Sequence, residues 1–204
     1  MVEVDVTGLV QVRESMKDKF QETEGVALTY LPFIVEIVAK CLKTHHIVNS
    51  SWDHDTIILK DNVNIGIAVA TSEGLLVPVI QEADALEVPD IAKLIARLTR
   101  NAQERSLSVT EVQGATFTVN NTGVLGSVIG KAIINYPQAA ILNTEAIVKR
   151  PIVKDEEIVI RSMMNLCLTF DHRILDGSDV SRFLSDIKDK LEMITLSTKK
   201  VQES

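Results

Sequence analysis

Asp171-His172-Arg173-Ile174-Leu175-Asp176-Gly177 joins two segments of different periodicity. Before it, Leu166, Leu168 and Phe170 alternate with Asn165, Cys167 and Thr169, the period of a strand with one buried face. After it, Val180, Phe183, Leu184, Ile187, Leu191 and Ile194 recur at helical spacing, with Ser178 or Asp179 placed to cap the first turn. The turn therefore sits where two rigid elements meet, and Gly177 suits backbone angles that other residues avoid. His172 is its chemically versatile member. Asp176 can orient the imidazole or hold the turn through another partner; Arg173 can pair with Asp171 or Asp176, or meet a ligand.

Working upstream, residues 158–170 read as one long strand, and 138–153 are rich in Ala, Ile and Val. Thr116, Thr118 and Asn120 alternate with Phe117, Val119 and Asn121, a strand that delivers two amides into a loop containing Gly123, Gly126 and Gly130. Glycines in such a loop let a ligand or another backbone come close. The loop lacks the Gly-Lys-Ser or Gly-Lys-Thr ending of a P-loop.

Val88-Pro89-Asp90 opens a helix with Ile91, Leu94, Ile95 and Leu98 on one face and Lys93, Arg97 and Arg100 largely outside it. Further strands are predicted at 56–60, 64–70 and 75–80, with 49–55 as a loop. Thr29 is placed to cap a helix carrying Pro32 in its first turn, with Leu31, Ile34, Val35, Val38, Ala39 and Leu42 forming a broad apolar face. The chain opens with Val2, Val4 and Val6 alternating with acidic residues, then a helix through Val10, Met16 and Phe20 that ends in the polar stretch 21–25. No internal repeat appears. Strands outnumber helices without a strict strand-helix-strand alternation, which predicts an α+β fold.

With 204 residues, 46% hydrophobic and 24% charged, the chain can build one sizeable core. A net charge of -7 and scattered Lys and Arg argue against a nucleic-acid partner. Apolar runs are too short to cross a bilayer; residues 31–39 are interrupted by Glu36. Cys41 and Cys167 have neither metal-type nor redox-type spacing, which predicts free thiols in a reducing compartment, the cytoplasm before the mitochondrial matrix. His45, His46 and His54 match no standard metal-ligand spacing, and no metal is expected.

His172, Asp176 and Gly177 together resemble the His-x-x-x-Asp-Gly motif of the acyltransferase component of 2-oxoacid dehydrogenase complexes, shared with chloramphenicol acetyltransferase. Three further segments resemble that component's catalytic domain in the same order. They are Gly74-Leu75-Leu76-Val77-Pro78-Val79-Ile80, Thr116-Phe117-Thr118-Val119-Asn120-Asn121-Thr122-Gly123 and Asn135-Tyr136-Pro137-Gln138-Ala139-Ala140-Ile141-Leu142. The resemblance covers most of the chain. It implies a mixed sheet flanked by helices, like chloramphenicol acetyltransferase, in homotrimers that assemble into a cubic or dodecahedral core with active sites at subunit interfaces.

The family's full-length members carry lipoyl and subunit-binding domains upstream, and their catalytic domain begins before Val2. Residues 1–204 therefore resemble an N-terminally shortened catalytic domain, with 198–204 as a flexible tail. The lipoyl domain, the decarboxylase and the dihydrolipoamide dehydrogenase are the partners this implies, reached through domains outside this chain.

The implied reaction moves an acyl group from dihydrolipoyllysine to coenzyme A, both substrates being thiols. A free thiol is mostly protonated near neutral pH, so a base is needed, and histidine, with an ordinary pKa of about 6.5, suits the task. His172 is the expected base. The family's oxyanion donor is a Ser or Thr hydroxyl; the matching position here is Asn120, whose amide can also donate. Asn121, Thr122, Gly123 and Arg173 are the expected coenzyme A contacts, and Lys93, Arg97 and Arg100 either attract its phosphates or form a solvated face. Neither Cys41 nor Cys167 is set as an exposed nucleophile, so transfer without an acyl-enzyme is expected. Asn120-Asn121 resembles some bacterial branched-chain members, which favours branched-chain acyl groups over acetyl. Two other readings are a core scaffold without catalysis and a stand-alone small-molecule O-acetyltransferase.

Overall fold

Seven strands form one sheet in the order β1-β11-β9-β8-β4-β7, with β10 paired to β11 off that path. They are β1 (Val2–Asp5), β4 (Ile65–Ile67), β7 (Val79–Ile80), β8 (Phe117–Asn121), β9 (Ala140–Thr144), β10 (Val148–Lys154) and β11 (Glu157–Phe170). This computed structural model describes residues 1–195; the tail expected at 198–204 lies outside them. The β4–β8 and β8–β9 pairs are parallel and the other pairs of this sheet antiparallel, so the sheet is mixed. Two separate hairpins join β2 (Ser50–Asp53) to β3 (Thr56–Leu59) and β5 (Val69–Thr71) to β6 (Gly74–Leu76).

The strand period divides the sheet's two faces cleanly. Phe117, Val119, Ala140, Leu142, Met164, Leu166 and Val4 share one face by their register and are all buried in the core. Four helices pack against that core: α1 (Thr7–Glu24), α2 (Leu31–Leu42), α3 (Val88–Gln103) and α4 (Gly177–Glu192). Phe183 of α4 meets the sheet directly, its ring edge-on to Phe117 with centroids 5.8 Å apart. Burying Phe183 completely removes its apolar area from water, worth roughly 1.5–3 kcal/mol. The opposite face carries Thr118, Asn120, Ile141, Asn143 and Cys167, and the chain between β8 and β9 closes on it.

Three local expectations are corrected. Residues 49–55 are not a loop: Ser50–Asp53 pairs with Thr56–Leu59, turning at His54, whose φ is 50°. Thr29 does not cap α2, because Tyr30 already has helical angles and no side chain caps the end; Pro32 in the first turn needs no N–H partner. The stretches 64–70 and 75–80 each divide between two sheets, since β4 and β7 join the large sheet while β5 and β6 leave it. Pro78 marks the break; it has no N–H, and its carbonyl accepts from Ile67 N at 2.8 Å.

Candidate active site

Asp171 continues the β11 ladder by donating its N–H to Ala139 O at 2.8 Å, and the chain then turns, with Ile174 N and Leu175 N both donating to Asp171 O at 3.0 Å. Ile174 and Leu175 plug into the core, which leaves His172 and Arg173 projecting outward between two anchored ends. The His172 ring lies against Phe170, centroids 5.3 Å apart, and has no hydrogen-bond partner among the described residues. Of the two roles open to Asp176, the structure supports the turn-holding one. Its Oδ1 accepts from Ser178 N at 2.8 Å and Asp179 N at 3.0 Å, while Asp179 accepts from Asp176 N at 3.3 Å. Asp176 is thus the N-cap of α4, in place of the expected Ser178 or Asp179, and starts the helix that fixes the turn. The Asp179 backbone N–H, followed by Ser178, lowers the Asp176 carboxyl to about 2.

Arg173 is engaged locally. Its Nε lies 3.0 and 3.2 Å from the two Asp171 oxygens and one terminal nitrogen 2.6 Å from Oδ2, with the guanidinium over the Trp52 ring, 5.0 Å from its centroid. These hydrogen bonds hold the Asp171 carboxyl below its ordinary value and raise the guanidinium above its own. The fork stiffens the turn that carries His172.

Asn120 stands elsewhere. It is in register with Asn143, and Asn143 with Cys167, so Asn120 sits four rows back along β11 from Asp171 and two strands across. At about 3.3 Å per row and 4.8 Å per strand, that is roughly 16 Å. The two residues also face opposite ways, since His172 leans on Phe170 at the helix-bearing face while Asn120 lies on the other. One chain alone does not bring them together.

Around Asn120 the polar groups form a chain. Asn120 Nδ2 donates to Asn143 Oδ1 at 3.1 Å, Asn143 Nδ2 to Glu145 Oε1 at 3.5 Å and Thr122 Oγ1 to Glu145 Oε2 at 2.7 Å. Asn143 and Glu145, both 2% exposed, were not singled out by the sequence reading. Gly123 of the loop approaches the chain's own backbone: a Cβ on it would come 2.5 Å from the Glu145 carbonyl carbon and oxygen. Of the expected ligand contacts, then, Thr122 and Arg173 have their polar groups engaged internally and Gly123 packs on the Glu145 backbone just past β9. Asn121 shares its row with Thr144, on the opposite face from Asn120, so one surface does not present both amides.

The remaining candidates lie apart. Lys93 pairs with Glu24 at 3.1 Å and Asp90 at 3.2 Å, and Arg97 with Glu111 at 2.6 Å, as a solvated face does. His45 meets Asp186 at 3.3 Å and the Phe183 ring, while His54 is exposed on the β2–β3 turn. No helix among the described residues is long and apolar enough to cross a membrane.

Residues 1–198 match the sequence profile of the 2-oxoacid dehydrogenases acyltransferase (catalytic domain). The lipoamide acyltransferase component of the branched-chain alpha-keto acid dehydrogenase complex of Bacillus subtilis is 51% identical over 97% of this chain and 47% of its own length. The dihydrolipoyllysine-residue succinyltransferase component of the mitochondrial 2-oxoglutarate dehydrogenase complex 1 of Arabidopsis thaliana is 45% identical over 93% of this chain and 41% of its own. The chain thus spans about half the length of these curated relatives. Among solved structures, a protein of Listeria monocytogenes described as a probable dihydrolipoamide acetyltransferase superposes with a TM-score of 0.94, at 49% identity, covering 96% of this chain and 83% of that one. The cubic core of a pyruvate dehydrogenase multienzyme complex gives 0.91 at 33% identity, covering 95% and 80%. Chloramphenicol acetyltransferase, at 16% identity and 0.58 over 93% and 86%, shares the fold.

Proposed function

The chain belongs to the acyltransferase catalytic-domain family of the 2-oxoacid dehydrogenases, and from that premise we propose that it moves an acyl group from S-acyl-dihydrolipoyllysine to coenzyme A. His172 removes the proton from the coenzyme A thiol as the sulfur attacks the thioester carbon. The carbonyl oxygen becomes an oxyanion, to which Asn120 of a neighbouring copy donates an amide N–H. The intermediate collapses, the carbon–sulfur bond to dihydrolipoyllysine breaks, and His172 returns the proton to the departing sulfur. No acyl-enzyme forms, and no metal or resident cofactor takes part. Asp176 and Arg173 hold the turn, while Asn121, Thr122 and Gly123 shape the loop beside Asn120 and line the path of coenzyme A through their backbone.

The observation that carries this reading is the exposed His172, without a hydrogen-bond partner among the described residues, on a turn fixed at both ends by core residues, a cap and an Arg–Asp fork. The distance between His172 and Asn120 supports a homotrimer whose interfaces complete the sites, and the likeness to a cubic core supports assembly of such trimers into a larger shell. The lipoyl domain and the decarboxylase and dehydrogenase components are its partners, and the cytoplasm its location. Branched-chain acyl groups are the favoured cargo, supported by the identity to the B. subtilis protein.

The test is transfer of isobutyryl, succinyl and acetyl groups between coenzyme A and dihydrolipoamide, with wild type against His172→Ala. A general base of this kind contributes about 10²- to 10⁴-fold, and the substitution is expected to cost that much. An undiminished rate in His172→Ala overturns the base assignment, and a succinyl or acetyl preference overturns the choice of cargo. A folded, assembled wild type with no transfer points to a scaffold.

A further inference from the structure

We propose that Asn143 and Glu145 are positioning residues that decide which way the Asn120 amide points. The inference rests on the reading of Asn120 as oxyanion donor and extends it to two residues with no access to substrate. β9 and the residue that follows it deliver Asn143 and Glu145 two positions apart, hence on one face, and both are 2% exposed. Gly130 closes over them: a Cβ there would come 2.7 Å from Glu145 Oε1 and 2.8 Å from Asn143 Nδ2.

The direction of the chain of hydrogen bonds follows from chemistry, not from how an amide happens to be drawn. A carboxylate only accepts, so Asn143 must turn its NH₂ to Glu145 and its oxygen to Asn120. Asn120 must then turn its own NH₂ toward Asn143, as the 3.1 Å Nδ2–Oδ1 contact has it. Thr122 Oγ1, donating at 2.7 Å, fixes the other Glu145 oxygen and ties the loop to the same group.

One of Asn120's two amide hydrogens is thereby spent, and the second is left in a defined direction. An unrestrained asparagine turns over and offers its oxygen as readily as its nitrogen, and an oxygen facing an oxyanion repels it. A serine or threonine hydroxyl rotates to suit, so it needs no such arrangement. The Asn143–Glu145 pair is what makes an asparagine serviceable at this position.

The test is a double-mutant cycle on acyl transfer: wild type, Asn120→Ala, Asn143→Leu and the double variant, each with its unfolding midpoint and assembly state. Asn143→Leu keeps the volume and removes the acceptor; Asn143→Ala is the second variant should leucine impair folding. If Asn143 acts through Asn120, its substitution lowers kcat about tenfold to a hundredfold with KM for both thiols within about twofold, and costs less than about twofold when Asn120 is already alanine. Equal losses in both backgrounds, or an unchanged kcat in a folded Asn143 variant, overturn the positioning role while leaving Asn120 as donor. A loss below about threefold in Asn120→Ala itself overturns the donor reading, and this inference with it.

Discussion

Asn120 and His172 occupy opposite ends and opposite faces of one sheet, with Asn120 in the row of Asn143 and Cys167 and His172 beyond the row of Phe170 and Ala140. Two residues expected to act on the same atoms are therefore held apart by the rigid part of the fold. No loop movement within one chain closes that gap, because both are anchored to strands of the same ladder.

The first prediction follows. Chains carrying His172→Ala and chains carrying Asn120→Ala are each expected to be inactive. After unfolding and refolding as an equal mixture they should regain about a quarter of the wild-type rate, since random assembly places an intact His172 against an intact Asn120 at one interface in about four. Activity that fails to recover in mixed assemblies, verified by mass spectrometry, argues for sites confined to one chain.

The cap gives the second. Asp176→Ala is expected to lower the unfolding midpoint by roughly 2–4 °C and to reduce turnover with it, because α4 loses its start. Asp176→Asn, an equally good cap, should restore both at pH 7. The Asp176 carboxyl is lowered to about 2 in the fold, so its contribution is fully present above the ordinary carboxylate range near pH 4 and lost as pH falls toward 2. Wild type and Asp176→Asn should therefore differ in how steeply stability falls across that window; parallel acid-unfolding curves would refute the cap's pH dependence.

The third concerns Cys41. Burial pushes its thiol up to about 12, with the nearby Asp186 acting in the same direction. An acid whose pKa is raised by folding stabilises the fold below its unfolded value of about 8.5 and withdraws that stability as pH rises above it. Cys41 is expected to resist a disulfide reagent at pH 8 at a rate set by unfolding, and stability should decline between about pH 8.5 and 12 more in wild type than in Cys41→Ala. Rapid labelling of Cys41 in the folded protein would contradict this.

The fourth is steric. Gly123→Ala would drive a Cβ into the Glu145 backbone at 2.5 Å, where neither strand nor loop can yield cheaply, and should cost about 1–3 kcal/mol in chemical denaturation. Gly126→Ala has nothing within 4 Å and meets only its positive φ of 82°, so it should cost about 1 kcal/mol. The order of the two, measured at equilibrium, checks that the Glu145 backbone rather than a ligand is what Gly123 accommodates.

Much of this could be read from the chain itself, and the exceptions have physical causes. α4 and β11 were legible because each buries one face, which writes its own period into Val180, Phe183, Leu184 and Ile187, and into Leu166, Leu168 and Phe170. β2 was missed because Ser50-Ser51-Trp52-Asp53 has no apolar alternation; its extended form is imposed by pairing with Thr56–Leu59. The motif singled out His172 and Asp176, and the family's strand segment Asn120, yet the work of Asp176 depended on where two backbone N–H groups point, and that is geometry. Asn143 and Glu145 left a signal in the polar triplet Asn143-Thr144-Glu145, set inside an otherwise Ala- and Ile-rich run with its first and last members at strand spacing. The distance between Asn120 and His172 could not be read locally at all, since it depends on β9 lying between β8 and β11.

The position of β11 also sets a timetable. Among the described residues β1 forms its ladder only with β11, Val2 lying opposite Leu166, and the same strand supplies one neighbour of β9. On the ribosome the valines of β1 emerge long before the strand they pair with. Until residues 157–170 leave the exit tunnel, both β1 and one side of β9 are bare edges able to pair with other chains. Closing contacts this distant in sequence is slow, so the nascent chain depends most on chaperones between the emergence of β1 and that of β11.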